Sequence, residues 1–88
     1  MKITFEIYIN GHPQQVGTLH LVPPNKSLLP FLRHSLGISE ADLVGCKAVD
    51  VQNGTEFDLG KVIGELQGRM LVVKRDNETV CALRIEYV

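Results

Sequence analysis

The sequence has no tryptophan and few aromatics of any kind, with three phenylalanines and two tyrosines among 88 residues. A core must therefore come mainly from leucine, isoleucine and valine, which supply apolar area through numbers and not through large rings. Cysteine is equally scarce, at two residues. A disulfide framework needs more of them and a secreted context, so Cys46 and Cys81 are expected to be reduced, buried thiols packing as small apolar groups. No apolar run approaches the roughly 20 residues that cross a bilayer, and the N-terminus alternates polar and apolar residues where a secretory signal would be continuously apolar. No membrane contact and a cytoplasmic location are expected. Neither sign of charge dominates: nine basic and ten acidic residues give a formal net charge of -1. No basic run is longer than Lys74-Arg75, so nucleic acid is not an expected partner.

What is present is the composition of a globular chain, with 44% hydrophobic and 22% charged residues. Its length fits a single domain, 1–88, near the lower size at which one apolar core suffices. "KITFEIYIN" puts Ile3, Phe5, Ile7 and Ile9 on one side and Thr4, Glu6 and Tyr8 on the other, which is the period of a half-buried strand. Asn10-Gly11 turns the chain into "QVGTLHLV", where Leu19 and Leu21 oppose Thr18 and His20. Pro13 predicts a hairpin loop longer than the tightest type.

Pro23-Pro24 ends the second strand. Ser27 as N-cap would put Pro30 in the first helical turn, where its missing N–H is tolerated. A helix is predicted from Leu28 to Leu36, with Leu28, Leu32 and Leu36 on one face, joined by Leu29 or Phe31, and with Gly37 as a left-handed stop. "SEAD" reads as a connector and "LVGCKAVDV" as a strand, followed by an Asn53-Gly54 hairpin and the short return "TEFD". Asp58 is positioned to cap a second, shorter helix using Leu59, Val62, Ile63 and Leu66. "RMLVVK" is apolar without alternation, as in a strand covered on both faces. "TVCALRIEYV" closes the chain as an alternating strand.

This order of elements resembles the β-grasp fold of ubiquitin-like proteins. The resemblance implies an α+β domain whose mixed sheet wraps around one main helix, here with a short second helix and an extra C-terminal strand. "ING" at Ile9–Gly11, "LLPFLRHSLGI" at Leu28–Ile38 and "GC" at Gly45-Cys46 also resemble the N-terminal half of the 2Fe-2S subunits of molybdenum hydroxylases. In that family several further cysteines follow the first. Here "KAVDV" follows Cys46, and the only other cysteine is Cys81. A cluster of this type takes four thiolates, so the resemblance implies the fold without the cofactor. β-Grasp sulfur carriers act through a C-terminal Gly-Gly; this sequence ends "IEYV", and carrier chemistry is not expected.

Other chemistry is equally unsupported by spacing. His12, His20 and His34 form no paired zinc-ligand pattern with the cysteines, and His20 reads as a surface residue. "GKVIGELQG" lacks the ending of a phosphate-binding loop. For Cys46 to act as a nucleophile, a base would have to lower its pKa. No catalytic, cofactor-binding or metal-binding residue is therefore assigned, and the chain is read as not an enzyme. The reading is a non-catalytic module that binds another protein, with self-association through an edge strand as a further possibility. One helix cannot cover both faces of the sheet, so two of the four side chains Met70–Val73 should point away from it. Met70 and Val72 are assigned to that outward pair, with Tyr8 and His20 beside them, as a protein-binding patch. Alternatively, the final strand and short helix cover this surface. The competing function is a cofactor-less relative of the 2Fe-2S domains that serves as an accessory to an oxidoreductase.

Overall fold

The computed structural model describes residues 1–87. Six strands form one sheet: β1 (Lys2–Ile9), β2 (His12–Leu19), β3 (Lys47–Asp50), β4 (Glu56–Phe57), β5 (Met70–Arg75) and β6 (Glu78–Glu86). Their spatial order is β2-β1-β6-β5-β3-β4, and every neighbouring pair is antiparallel. Between the strands lie α1 (Leu28–Pro30), which widens into a π-helical turn (Phe31–Ser35), the single turn α2 (Glu40–Leu43), and a 3-10 turn (Ile63–Leu66).

This overturns the expected fold. A β-grasp sheet is mixed and wraps one main helix; here the sheet is wholly antiparallel, strands dominate, and the longest helical stretch, Leu28 to Ser35, has eight residues. The reason lies in the placement of β6. β1 and β5 run in the same direction, but β6 enters between them and pairs antiparallel with both, through Ile3–Ile85 and Phe5–Leu83 on one side and Leu71–Leu83 and Val73–Cys81 on the other. The C-terminal strand β6 is thus interior and offers no edge for pairing. The edges are β2 and the two-residue β4. The predicted extension of this strand to Val88 lies outside the described residues.

Local chemistry accounts for the remaining departures. The first hairpin is of the tightest kind: Ile9 faces His12, and Asn10 and Gly11 hold φ values of 52° and 80°, as a type I′ turn requires. Pro13 did not lengthen the loop, because it sits on an edge strand, where a missing N–H is tolerated. The irregularity appears instead as a bulge between Tyr8–Pro13 and Ile7–Gln15. Gly17 faces Phe5 across this hairpin, and a Cβ there would lie 2.8 Å from the ring. Phe5 therefore lies over β2 only because position 17 has no side chain.

Ser27 occupies the N-cap position of α1 without making a side-chain cap. The first helical amides are bonded instead by a neighbouring loop, Leu28 N to Lys61 O at 3.0 Å and Leu29 N to Leu59 O at 2.8 Å, which satisfies the orphan donors of a helix start equally well. Gly37 (φ 72°) ends the helical stretch, and Ile38 N returns to Leu32 O at 3.0 Å. "SEAD" is not a plain connector: Ser39 caps α2 by accepting from Asp42 N at 3.3 Å, so β3 starts at Lys47 and not at Leu43. The second helix shrinks to one 3-10 turn, because Asp58 spends its carboxylate on Gly60 N at 2.7 Å within a local turn.

One cluster of buried side chains joins these elements. Ile3, Phe5, Leu71, Val73, Cys81, Leu83 and Ile85 from the sheet meet Leu28, Phe31, Leu32 and Leu36, together with Leu43 of α2 and Ile63 and Leu66 of the 3-10 turn. All helical segments thus lie on one side of the sheet, and the other side has no layer over it among the described residues. No helix among those residues is long and apolar enough to cross a membrane.

Candidate functional site

The uncovered face can be assembled from the strand registers. Because side chains alternate along a strand, the partners of Thr4, Glu6 and Tyr8 on β1 share their side. One row runs Thr18, Thr4, Arg84, Met70; the next runs Val16, Glu6, Ala82, Val72, Val49; a third brings Lys47, Lys74 and Thr79 together. Ala82, Val72 and Val49 are contiguous apolar side chains on three adjacent strands, with Met70 beside them. All four are half-buried, whereas Leu71 and Val73, on the alternate positions of β5, are fully buried on the helical side. The small side chain of Ala82 leaves a shallow depression of about 250 Å³, bordered by Thr4, Glu6, Met70 and Arg84.

Electrostatics partition this face. Tyr8 donates its hydroxyl to Glu6 Oε2 at 3.2 Å. Loss of solvent around the phenol raises its pKa, and the Glu6 charge and hydrogen bond add to that rise, so Tyr8 remains a neutral donor to Glu6. Lys2 and Glu86 approach to 4.0 Å at one end of the strands. At the opposite end Lys47 faces Lys74 directly, a like-charge cross-strand pair that works against the sheet.

The four residues assigned from the sequence do not form one patch. Met70 and Val72 are neighbours on the uncovered face. Tyr8 shares that face but lies toward the β5–β6 turn, beside Arg75 and Thr79. His20 lies beyond the end of β2, at a separate cavity with Leu19 and Phe31. Val49 and Ala82 were missed. Their signal was the alternation around them, since Val49 stands between buried Ala48 and Asp50, and Ala82 between buried Cys81 and Leu83.

The polar groups on the helical side are structural. Asp50 is buried, and one carboxylate oxygen takes the Arg69 guanidinium at 2.6 Å while the other accepts from Gln52 N at 2.8 Å. The Arg69 hydrogen bond, then that from Gln52, hold its pKa below the ordinary carboxylate range. The guanidinium also lies 5.0 Å from the centre of the Phe57 ring, so the pair ties the short edge strand β4 to the sheet. Cys46 donates its thiol to Asp42 O at 3.2 Å. Burial raises its pKa despite the nearby Arg75, and burial pushes Cys81 up to about 12. Neither thiol has the thiolate character that nucleophilic chemistry uses. Among the described residues no group of three or more His, Cys, Asp or Glu side chains converges as metal ligands would. No family model, no curated protein and no solved structure matches this chain.

Proposed function

We propose that this protein is a non-catalytic module that binds another protein through the uncovered face of its sheet, in the reducing compartment that suits its two free, buried thiols. The supporting observation is the layer on one side only, which leaves Ala82, Val72, Val49 and Met70 as a contiguous apolar surface. Six strands at roughly 4.8 Å spacing make this face about 24 Å across. With its rim, that is on the scale of the roughly 800 Å² that each partner contributes to a stable interface. Lys47, Lys74 and Arg84 border the apolar row and outnumber Glu6 at its β1 end, which favours a partner with complementary acidic groups.

The immobilised chain should recover one partner protein in stoichiometric amount. Val72→Glu, at the centre of the row, should weaken that binding at least about tenfold, as expected for a charge placed in a desolvated contact, while leaving the melting temperature nearly unchanged. Unaltered affinity for both Val72→Glu and Met70→Lys would remove this face from consideration.

A further inference from the structure

The segment between β2 and α1 contains an unusual residue. Val22 is buried, and its N–H donates to Met1 O at 2.8 Å. The residue before it is turned over to allow this: Leu21 has φ 60° and its side chain is 92% exposed. Among the described residues the other two non-glycine positions with positive φ are Asn10 and Asp76, turn formers whose short polar side chains tolerate the left-handed region. Leucine does not share that tolerance. Leu21 is thus strained and solvent-facing together, and contributes nothing to the core.

Beside it is a cavity of about 350 Å³, walled by Leu19, Pro23 and Phe31, with Leu21 at its lip and His20, Lys26 and Ser35 as its polar side chains. No carboxylate of the described residues lines it. Residues 7–39 contain no Asp or Glu at all, while holding Lys26, Arg33 and all three histidines. Two acidic residues elsewhere, Glu40 and Glu65, are each paired, with Arg33 at 3.6 Å and Lys61 at 3.0 Å.

We infer that this cavity docks an acidic, aliphatic peptide segment of a partner protein, with Leu21 and the cavity walls enclosing an aliphatic side chain while Lys26 and His20 receive the flanking carboxylates. The site is separate from the uncovered sheet face and stands independently of it. A second copy of this chain is the poorer occupant. Two-fold pairing presents the same patch to itself, and so brings a surface carrying Lys26 and His20 without a lining carboxylate against another of the same kind.

A random displayed-peptide library selected on the intact protein tests the assignment. The expected result is enrichment of sequences with Asp or Glu flanking Leu, Ile or Phe. Their binding should fall at least about tenfold in both Leu21→Asn and Lys26→Glu, the scale of a lost interface anchor, and should persist in Val72→Glu. Leu21→Asn should also melt at or above the wild-type temperature, because asparagine accepts the left-handed backbone; a lower melting temperature would mark Leu21 as structural and overturn the role given to it. The inference is equally overturned by failure to enrich, by enriched peptides lacking acidic residues, by binding indifferent to Leu21→Asn and Lys26→Glu, or by a dimer in sedimentation that Leu21→Asn dissolves.

Discussion

The two faces of the sheet come from the same strands, yet they obey different rules. On β6, Leu83 and Ile85 are fully buried against the helical layer, while Arg84 between them is exposed and Ala82 half-buried. On β5, Leu71 and Val73 are sealed, while Met70 and Val72 sit among polar neighbours. The helical side is closely packed, and the one buried charge among the described residues, Asp50, is paired with Arg69. The other side mixes a short apolar row with lysines, arginine, glutamate and threonine. The contrast teaches that stability resides in one face, and that the second is free to be shaped by what it touches.

Substitutions can break that contrast at graded strength. Leu83→Ala opens a cavity in the centre of the packed side and should cost about 2–5 kcal/mol, measured by urea unfolding. For a domain of this size that is a large part of the total stability. Gly17→Ala tests the same side at its margin. The new methyl meets the Phe5 ring at 2.8 Å, an overpacking cost of about 1–3 kcal/mol. The roughly 0.5–1 kcal/mol gained by removing a strand glycine offsets this only in part, because Phe5 cannot turn aside without leaving the core.

Asp50→Asn sharpens the comparison through pH. A carboxyl whose folded pKa is depressed contributes stability that is fully present above the unfolded value of about 3.9 and is lost as pH falls through the lower folded value. Wild type should therefore exceed Asp50→Asn in stability at neutral pH, and the two urea curves should converge under acid conditions below both values. A gap that persisted unchanged into strong acid would show that the Arg69 pairing is not its source. The smallest effect belongs to the uncovered side: Arg84→Ala, one residue from Leu83, should shift stability by no more than about 0.5 kcal/mol.

Much of each strand was legible, because alternation reports directly on which side chains share a face. Ile3 and Phe5 against Thr4 and Glu6 is a pattern that only a half-buried strand satisfies, and Asn10-Gly11 specifies its own turn. Alternation says nothing about which strands are neighbours. β6 reads as a half-buried strand whether it lies at an edge or in the middle, so its insertion between β1 and β5 was invisible, and with it the antiparallel sheet. The same gap affected the candidate surface. Four consecutive apolar residues, Met70 to Val73, carry no phase; the register with Cys81 and Leu83 is what sets which two face the helices. Helix length was overread for a different reason. Asp58 and Ser27 are ordinary cap residues by type, but one turned its carboxylate to a local amide, and the other was replaced by carbonyls from residues distant in sequence. Leu21 followed the alternation of β2 on paper, and left it because Val22 is bonded to Met1.

The central position of β6 has a consequence for how the chain acquires its shape. The β1–β2 hairpin and the β3-β4-β5 group make no strand-to-strand bond with each other; each meets only β6, the last of these six strands in chain order. On the ribosome the N-terminal hairpin must wait, with one flank unsatisfied, until about residue 86 has emerged. Assembly of the sheet is then deferred until β6 is available, and the nascent chain depends during that interval on whatever shields an unfinished sheet.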